Sequence, residues 1–243
     1  MSPRIIAFFP LYNEKSRLDS LLQRFKPVLE KQIVHELLIV DDGSTDGSYE
    51  VLRQQPCCTV VRHESNQGMG DALRDAYRYA LEKQYDIFTI IAGNGKDDPA
   101  EIERLVGPIL RDKADYMQGS RFLPHGYSEG LPGHRLWAMR LYTWTFSLFL
   151  TRKFTDCTNG FRAYRTLILR DKRLDWAQEW LGHSYEIEFY VHYKVTALEY
   201  RVAEVPVSKI YHRASNGSYS KVRVKDWFNN LKPLFLLRFG IKS

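Results

Sequence analysis

Two adjacent carboxylates, Asp41 and Asp42, end the apolar run at 36–40 and lead straight into Gly43-Ser44-Thr45-Asp46-Gly47. A carboxylate so placed accepts hydrogen bonds from a base N–H or from ribose hydroxyls. A helix start capped by Ser, Thr or Asp suits a phosphate. Taken alone, an Asp-Gly-Ser turn is an ordinary helix cap. Three further polar clusters follow apolar runs in the same way, however: Tyr12-Asn13-Glu14, Gly93-Asn94-Gly95-Lys96-Asp97-Asp98 and Ser120-Arg121. Arg121, together with Arg135 and Arg140 beside an aromatic stretch, offers guanidinium forks that match a phosphate in bidentate fashion. Lys96 offers a compact point charge. As isolated side chains the arginines would more often be surface groups, and a solvated loop lysine is the alternative reading of Lys96.

The runs between these clusters are the elements that must carry them. Residues 4–9, closed by Pro10, form a short apolar run that reads as a strand buried on both faces. Residues 17–29 place apolar side chains at 18, 21, 22, 25, 28 and 29, one face of a helix. The alternation continues with strands at 36–40, 59–62, 87–91 and 116–119 and helices at 46–54, 70–83 and 98–110. Such an order predicts an α/β fold with a mostly parallel sheet covered by helices. Ligands of open sheets bind beyond the carboxyl ends of the strands, where all four clusters fall. Past Arg121 come a Gly/Pro/His loop at 124–134, an aromatic stretch at 136–150 and a strand at 200–207. A basic amphipathic helix over 221–240 follows, with apolar residues at 224, 227, 228, 231, 234 and 235 and Pro233 inside it. The reading divides the chain into a domain at 1–220 and a basic C-terminal segment at 221–243.

The chain has 243 residues, 44% of them hydrophobic and 26% charged, which excludes disordered, collagen-like and repeat architectures. Its three cysteines, Cys57, Cys58 and Cys157, make no disulfide framework, so a reducing cytosol fits. The first residues lack a signal-peptide pattern, and no apolar run approaches the roughly 18 residues that span a bilayer. A net charge of +6 favours anionic partners. Nucleic acid is disfavoured, because the basic residues are dispersed and no recognition motif is present. His125, His134, His183 and His212 have no metal-like spacing. Glu186 and Glu188 would share a face on a strand but diverge on a helix.

Phe9-Pro10-Leu11-Tyr12-Asn13-Glu14, Val40-Asp41-Asp42-Gly43-Ser44-Thr45-Asp46-Gly47 and Asn66-Gln67-Gly68-Met69-Gly70-Asp71-Ala72 resemble the nucleotide-sugar half of family 2 glycosyltransferases. Gly119-Ser120-Arg121, Asp156-Cys157-Thr158-Asn159-Gly160-Phe161-Arg162-Ala163-Tyr164, Tyr185-Glu186-Ile187-Glu188, Glu204-Val205-Pro206 and Ser220-Lys221 are similar to the dolichyl-phosphate mannose synthase branch. Motifs in this number and order, from residue 4 to about 225, are far more specific than any one of them.

The resemblance implies a GT-A fold and an inverting transfer from a nucleoside-diphosphate sugar, GDP-mannose or a UDP-sugar, to a polyprenyl (dolichyl or undecaprenyl) phosphate. It implies Pro10, Tyr12, Glu14, Asp41, Asp42 and Asp71 around the nucleoside, and Gly93, Asn94 and Lys96 at the diphosphate. Arg121 with Arg135 or Arg140 would hold the acceptor phosphate, Ser220 and Lys221 would close over it, and Glu188 matches the family's carboxylate. A hydroxyl acceptor, with Glu188 as base, and a catalytically dead binding subunit are the alternatives.

The family's Asp-x-Asp, which binds Mg²⁺ or Mn²⁺, is replaced here by Ala92-Gly93-Asn94, with Lys96 at the Gln that follows. Two readings stay open: Asp97 and Asp98 recruit the metal from a shifted place, or Lys96 supplies the positive charge itself. Trp137, Trp144, Phe146, Leu148 and Phe149, with the C-terminal helix, are expected to lie on a membrane surface at its cytoplasmic face. Packing of both helices on the sheet, or a dimer contact, is the competing expectation.

Overall fold

The computed structural model describes residues 2–211 and 224–242. Its centre is a seven-stranded sheet built from β1 (Ile5–Leu11), β2 (Glu36–Asp41), β3 (Thr59–Arg62), β4 (Ile87–Ile90), β5 (Tyr116–Ser120), β7 (Arg162–Arg165) and β8 (Val202–Pro206). The order is β3-β2-β1-β4-β7-β5-β8. Every pairing is parallel except those of β7, which runs antiparallel to both β4 and β5. A separate parallel pair, β6 (Tyr127–Glu129) with β9 (Ser208–Ile210), lies beside the loop after β4.

Alternation along β1 explains the two cores. Ile5, Ala7, Phe9 and Leu11 meet α1 (Lys15–Glu30) and α4 (Ile102–Leu110) on one face. Ile6 and Phe8 meet α3 (Met69–Glu82) on the other, in a cluster that also holds buried residues of α5 (Gly133–Phe149) and α6 (Glu186–Ala197). α2 (Ser48–Leu52) is a short turn of helix after β2. The expected helix at 98–110 begins with a 3₁₀ turn, Pro99–Glu101, before α4.

β1 and β4 lie where the strand order reverses direction, the place at which a doubly wound sheet opens to a ligand. Pro10 helps to open it. With no N–H to donate, it adds nothing to the ladder with β4, whose last registered pair is Phe8 with Ile90. The chain then peels off through Gly93, which lies so close to the Pro10 carbonyl that a Cβ there would stand 2.2 Å from the oxygen.

α7 (Val224–Arg238) runs through Pro233 and packs on α6. Leu234 is buried in the α3 and α6 core, and Leu231 and Leu237 pack against it. Leu231, Leu234 and Leu237 thus join that core, while Phe235, Phe239 and Ile241 are exposed. Phe146, expected on a membrane face, is also fully buried, against Tyr142, Phe154 and His192. Among the described residues no helix is long and apolar enough to cross a membrane.

Candidate active site

The loops after β1 and β2 are stitched together. Asn13, in the left-handed region at φ 53°, accepts from the Thr45 N–H at 2.8 Å, while its own N–H donates to Ser44 Oγ at 3.0 Å. Asp46 accepts from the Lys15 N–H at 2.9 Å. Tyr12 is left exposed beside this junction, and Glu14 pairs with Arg17 at 3.2 Å.

Asp41 and Asp42 are both buried but differ in use. Asp42, expected at the nucleoside, accepts from the Gln67 and Gly68 N–H groups at 2.7 and 2.9 Å and lies 2.7 Å from His63 Nδ1. Both its oxygens are occupied, so in this structure the carboxylate braces the 67–68 loop. Asp41 accepts from the Ser44 N–H at 3.2 Å through Oδ1. Its Oδ2 has no hydrogen-bond partner among the described residues and lies 3.6 Å from Arg62 Nε. An unpartnered buried carboxylate oxygen at a strand end is a natural acceptor for a ligand N–H or O–H. Asp71 is divided between Arg74, at 3.0 Å, and His183.

His63 lies one residue past β3 and bridges Asp42 to Asp75, the latter at 2.9 Å. Burial opposes its protonation, but the hydrogen bonds and charges of the two carboxylates prevail and raise its pKa. Nothing in the sequence motifs assigns it a role.

After β4, the loop is held by Arg24, which donates to the Gly95 and Asp97 carbonyls at 2.8 and 3.1 Å. Lys96 is directed inward and almost fully buried, with Nζ 5.3 Å from the centre of the Tyr211 ring. Burial and then the charges of Lys209 and Arg135 push its pKa down to about 8, against the opposing pull of Asp97 and Glu14. Lys209, on β9, donates to Asp97 Oδ1 at 2.7 Å and Asn159 Oδ1 at 2.9 Å. Its partner is 112 residues away, so no local pattern reveals it.

Arg121, expected to meet the acceptor phosphate, is turned into the protein. It is 3% exposed, clasps Asp156 through Nε and Nη2 at 2.7 Å each, and donates to Thr158 at 2.7 Å and to the Tyr211 hydroxyl. Its guanidinium is a brace beneath Tyr211, whose ring faces Lys96. The two other arginines are separated by their surroundings. Arg135 acts electrostatically on Lys96, whereas Arg140 is exposed and lies 5.9 Å from the Phe122 ring. Glu186 and Glu188 fall on α6, so they diverge. Glu188 is buried under Gly160 and 3.8 Å from Arg162 Nη1; burial raises its pKa despite Arg162 and Lys209. Ser220, Lys221 and His212 lie outside the described residues.

Asp97 and Asp98, the carboxylates expected to recruit a divalent ion from a shifted place, both have protein partners. Asp97 is fully buried, with one oxygen on Lys209 and the other accepting the Ala92 N–H at 3.0 Å. Asp98 caps the 3₁₀ turn by accepting from the Ala100 N–H at 3.1 Å. Mg²⁺ held between phosphates needs one or two available carboxylates, and Asp97 has both oxygens engaged by the protein.

The sequence profile described as Glycosyl transferase family 2 matches residues 7–173. The chain belongs to this family. It is a glycosyltransferase with a GT-A fold. It is 29% identical to an undecaprenyl-phosphate mannosyltransferase from Micrococcus luteus, over 84% of this chain and 83% of that one. It is also 29% identical to a polyprenol monophosphomannose synthase from Mycolicibacterium smegmatis, over 84% and 77%. Among solved structures it is similar to the glucosyl-3-phosphoglycerate synthase of Mycobacterium tuberculosis in complex with UDP, with a TM-score of 0.70 and 21% identity. That match covers 99% of this chain and 82% of the other. A structure of the same synthase in complex with Mn²⁺, UDP and phosphoglyceric acid matches with a TM-score of 0.69 and 20% identity, over 99% and 80%.

Proposed function

We propose that this glycosyltransferase moves a sugar, with inversion, from GDP-mannose or a UDP-sugar to a polyprenyl phosphate at the cytoplasmic face of a membrane. One observation on α5 carries the reading. Arg135, in its first turn, lies within electrostatic reach of Lys96, while Trp137, Leu141, Trp144 and Leu148 are exposed along the helix at steps of four, three and four residues. The inner face of the same helix buries Met139, Tyr142, Thr143 and Phe146. A helix apolar on both sides has an outer face suited to acyl chains, and its cationic end meets a phosphate at headgroup depth. The names of the Micrococcus and Mycolicibacterium relatives point to the same class of carrier.

An ionised lipid phosphate needs no general base. One of its oxygens attacks the anomeric carbon. The bond from that carbon to the diphosphate oxygen breaks, and its electron pair leaves with the nucleoside diphosphate. Catalysis is then the alignment of two anions and stabilisation of the charge that develops on the leaving group. Tyr12, Glu14 and the unpartnered oxygen of Asp41 serve the nucleoside, Gly93 and Asn94 flank the diphosphate, and Arg135 and Arg140 serve the acceptor. Transfer to a hydroxyl would ask Glu188 for a base, and its burial beside Arg162 speaks against that.

The test is transfer of label from GDP-mannose or UDP-sugars to undecaprenyl phosphate in phosphatidylglycerol vesicles. Label is expected in the lipid fraction. Label appearing only on soluble hydroxyl acceptors would overturn the proposal.

A further inference from the structure

The loop after β4 is poor in available carboxylates and rich in fixed positive charge. If Asp-x-Asp is placed on residues 92–94, Ala and Asn stand where the aspartates belong. Moved by one residue, the pattern falls on Gly93 and Gly95. Neither glycine position readily takes a side chain: a Cβ at 93 collides with the Pro10 carbonyl, and Gly95 has φ +71° with the Arg24 guanidinium 3.0 Å from where its Cβ would be.

Positive charge occupies the same place by construction. The Ile210 N–H donates to the Lys96 carbonyl at 2.9 Å, and Asp97 pairs with Lys209 in an antiparallel bridge. The two lysines therefore stand on facing backbone segments. Lys209 is fixed by Asp97 and Asn159, and Lys96 stands over a Tyr211 ring that is itself held by Arg121. Lys96 itself feels the like charges of Lys209 and Arg135 and the opposite charges of Asp97 and Glu14. A divalent cation brought here would meet an excess of like charge, whereas a diphosphate would meet ammonium groups with several N–H donors.

We infer that the donor diphosphate is neutralised by Lys96 in place of a divalent ion, with Lys209 fixed close to it as the partner that holds Asp97. The inference rests on the nucleotide-sugar reading and adds the chemistry of its leaving-group site. Lys209 is part of the device because it cancels the one buried carboxylate that a metal would otherwise claim.

Calorimetry with GDP and UDP, and with GMP and UMP, on the full chain tests this. In excess EDTA one diphosphate is expected to bind within about threefold of its affinity in Mg²⁺ or Mn²⁺. Lys96→Met should weaken that diphosphate by about 10- to 100-fold while changing the monophosphate by less than about threefold. Lys96→Gln supplies the same comparison if the Met variant does not fold. Replacing Lys209 alone would strand Asp97, so the second variant is the double Asp97→Asn/Lys209→Met, with a loss of tenfold or more expected. Diphosphate binding that disappears in EDTA and returns with Mn²⁺, or that survives in both Lys96 variants, overturns the role of Lys96 and leaves the nucleotide-sugar reading standing. If neither GDP nor UDP binds with or without metal, the nucleotide-sugar reading itself falls.

Discussion

Arg121 and Asp156 meet as a buried bidentate pair, with Nε to Oδ2 and Nη2 to Oδ1 both at 2.7 Å. The Glu204 carboxylate accepts the Asp156 N–H at 2.9 Å, so the pair is locked to β8 as well as to β5. Burial disfavours the charge on Asp156, yet the adjacent guanidinium prevails and keeps its pKa low. Removing one partner leaves the other charged and buried. Arg121→Met should destabilise the fold by about 3–5 kcal/mol, and Arg121→Met/Asp156→Leu should recover much of it. Urea unfolding of both variants is the check, and a single variant as stable as wild type would show that the pair is not a brace.

Asp41 and Asp42 should separate by readout. Asp41→Asn is expected to lower nucleoside-diphosphate affinity about tenfold or more with a small change in melting temperature, since its Oδ2 accepts no hydrogen bond among the described residues and is only 3.6 Å from the half-exposed Arg62. Asp42→Ala should instead strand the Gln67 and Gly68 N–H groups and lower stability by about 2–5 kcal/mol. Calorimetry and thermal melts on the two variants decide it; the reverse pattern would return the nucleoside to Asp42.

His63 makes stability depend on pH with a definite sign. Its folded pKa is raised, so its contribution is fully present below the unfolded value near 6.5 and is lost as pH rises through the folded value. The stability advantage of wild type over His63→Gln should therefore shrink from pH 6 to pH 9. Urea midpoints that keep a constant difference across that range would refute the assignment.

The outer stripe of α5 should govern membrane binding. Trp137 and Trp144 are 68% and 63% exposed, so Trp137→Ser/Trp144→Ser should leave the melting temperature nearly unchanged while reducing flotation with phosphatidylglycerol vesicles. The residual binding should weaken further at high salt. Equal flotation of wild type and the double variant would remove α5 from the membrane contact.

Much of the sheet was legible because parallel strands buried on both faces read as short apolar runs, as residues 5–9, 37–40 and 87–91 do. β7 was hidden by its composition. Arg162-Ala163-Tyr164-Arg165 has an arginine at each end, and only the folded chain provides the Asn159, Glu188 and Cys157 carbonyls that satisfy the fully buried Arg162. The rule that locates polar groups past strand ends found Asp41, Lys96 and Arg121, and it applies equally to His63. It gives location without direction, however. Whether Arg121 faces a ligand or Asp156, and whether Asp97 faces a metal or Lys209, depends on partners 35 and 112 residues away.

The antiparallel insertion of β7 also sets a schedule for synthesis. The ribosome delivers β5 more than forty residues before β7, the strand that must separate it from β4. Until residue 165 emerges, β4 and β5 each present an unpaired edge, and pairing them directly would form a sheet of the wrong order. Fragments ending between α5 and β7 should consequently collect in inclusion bodies, while chains reaching past Arg165 can close the gap.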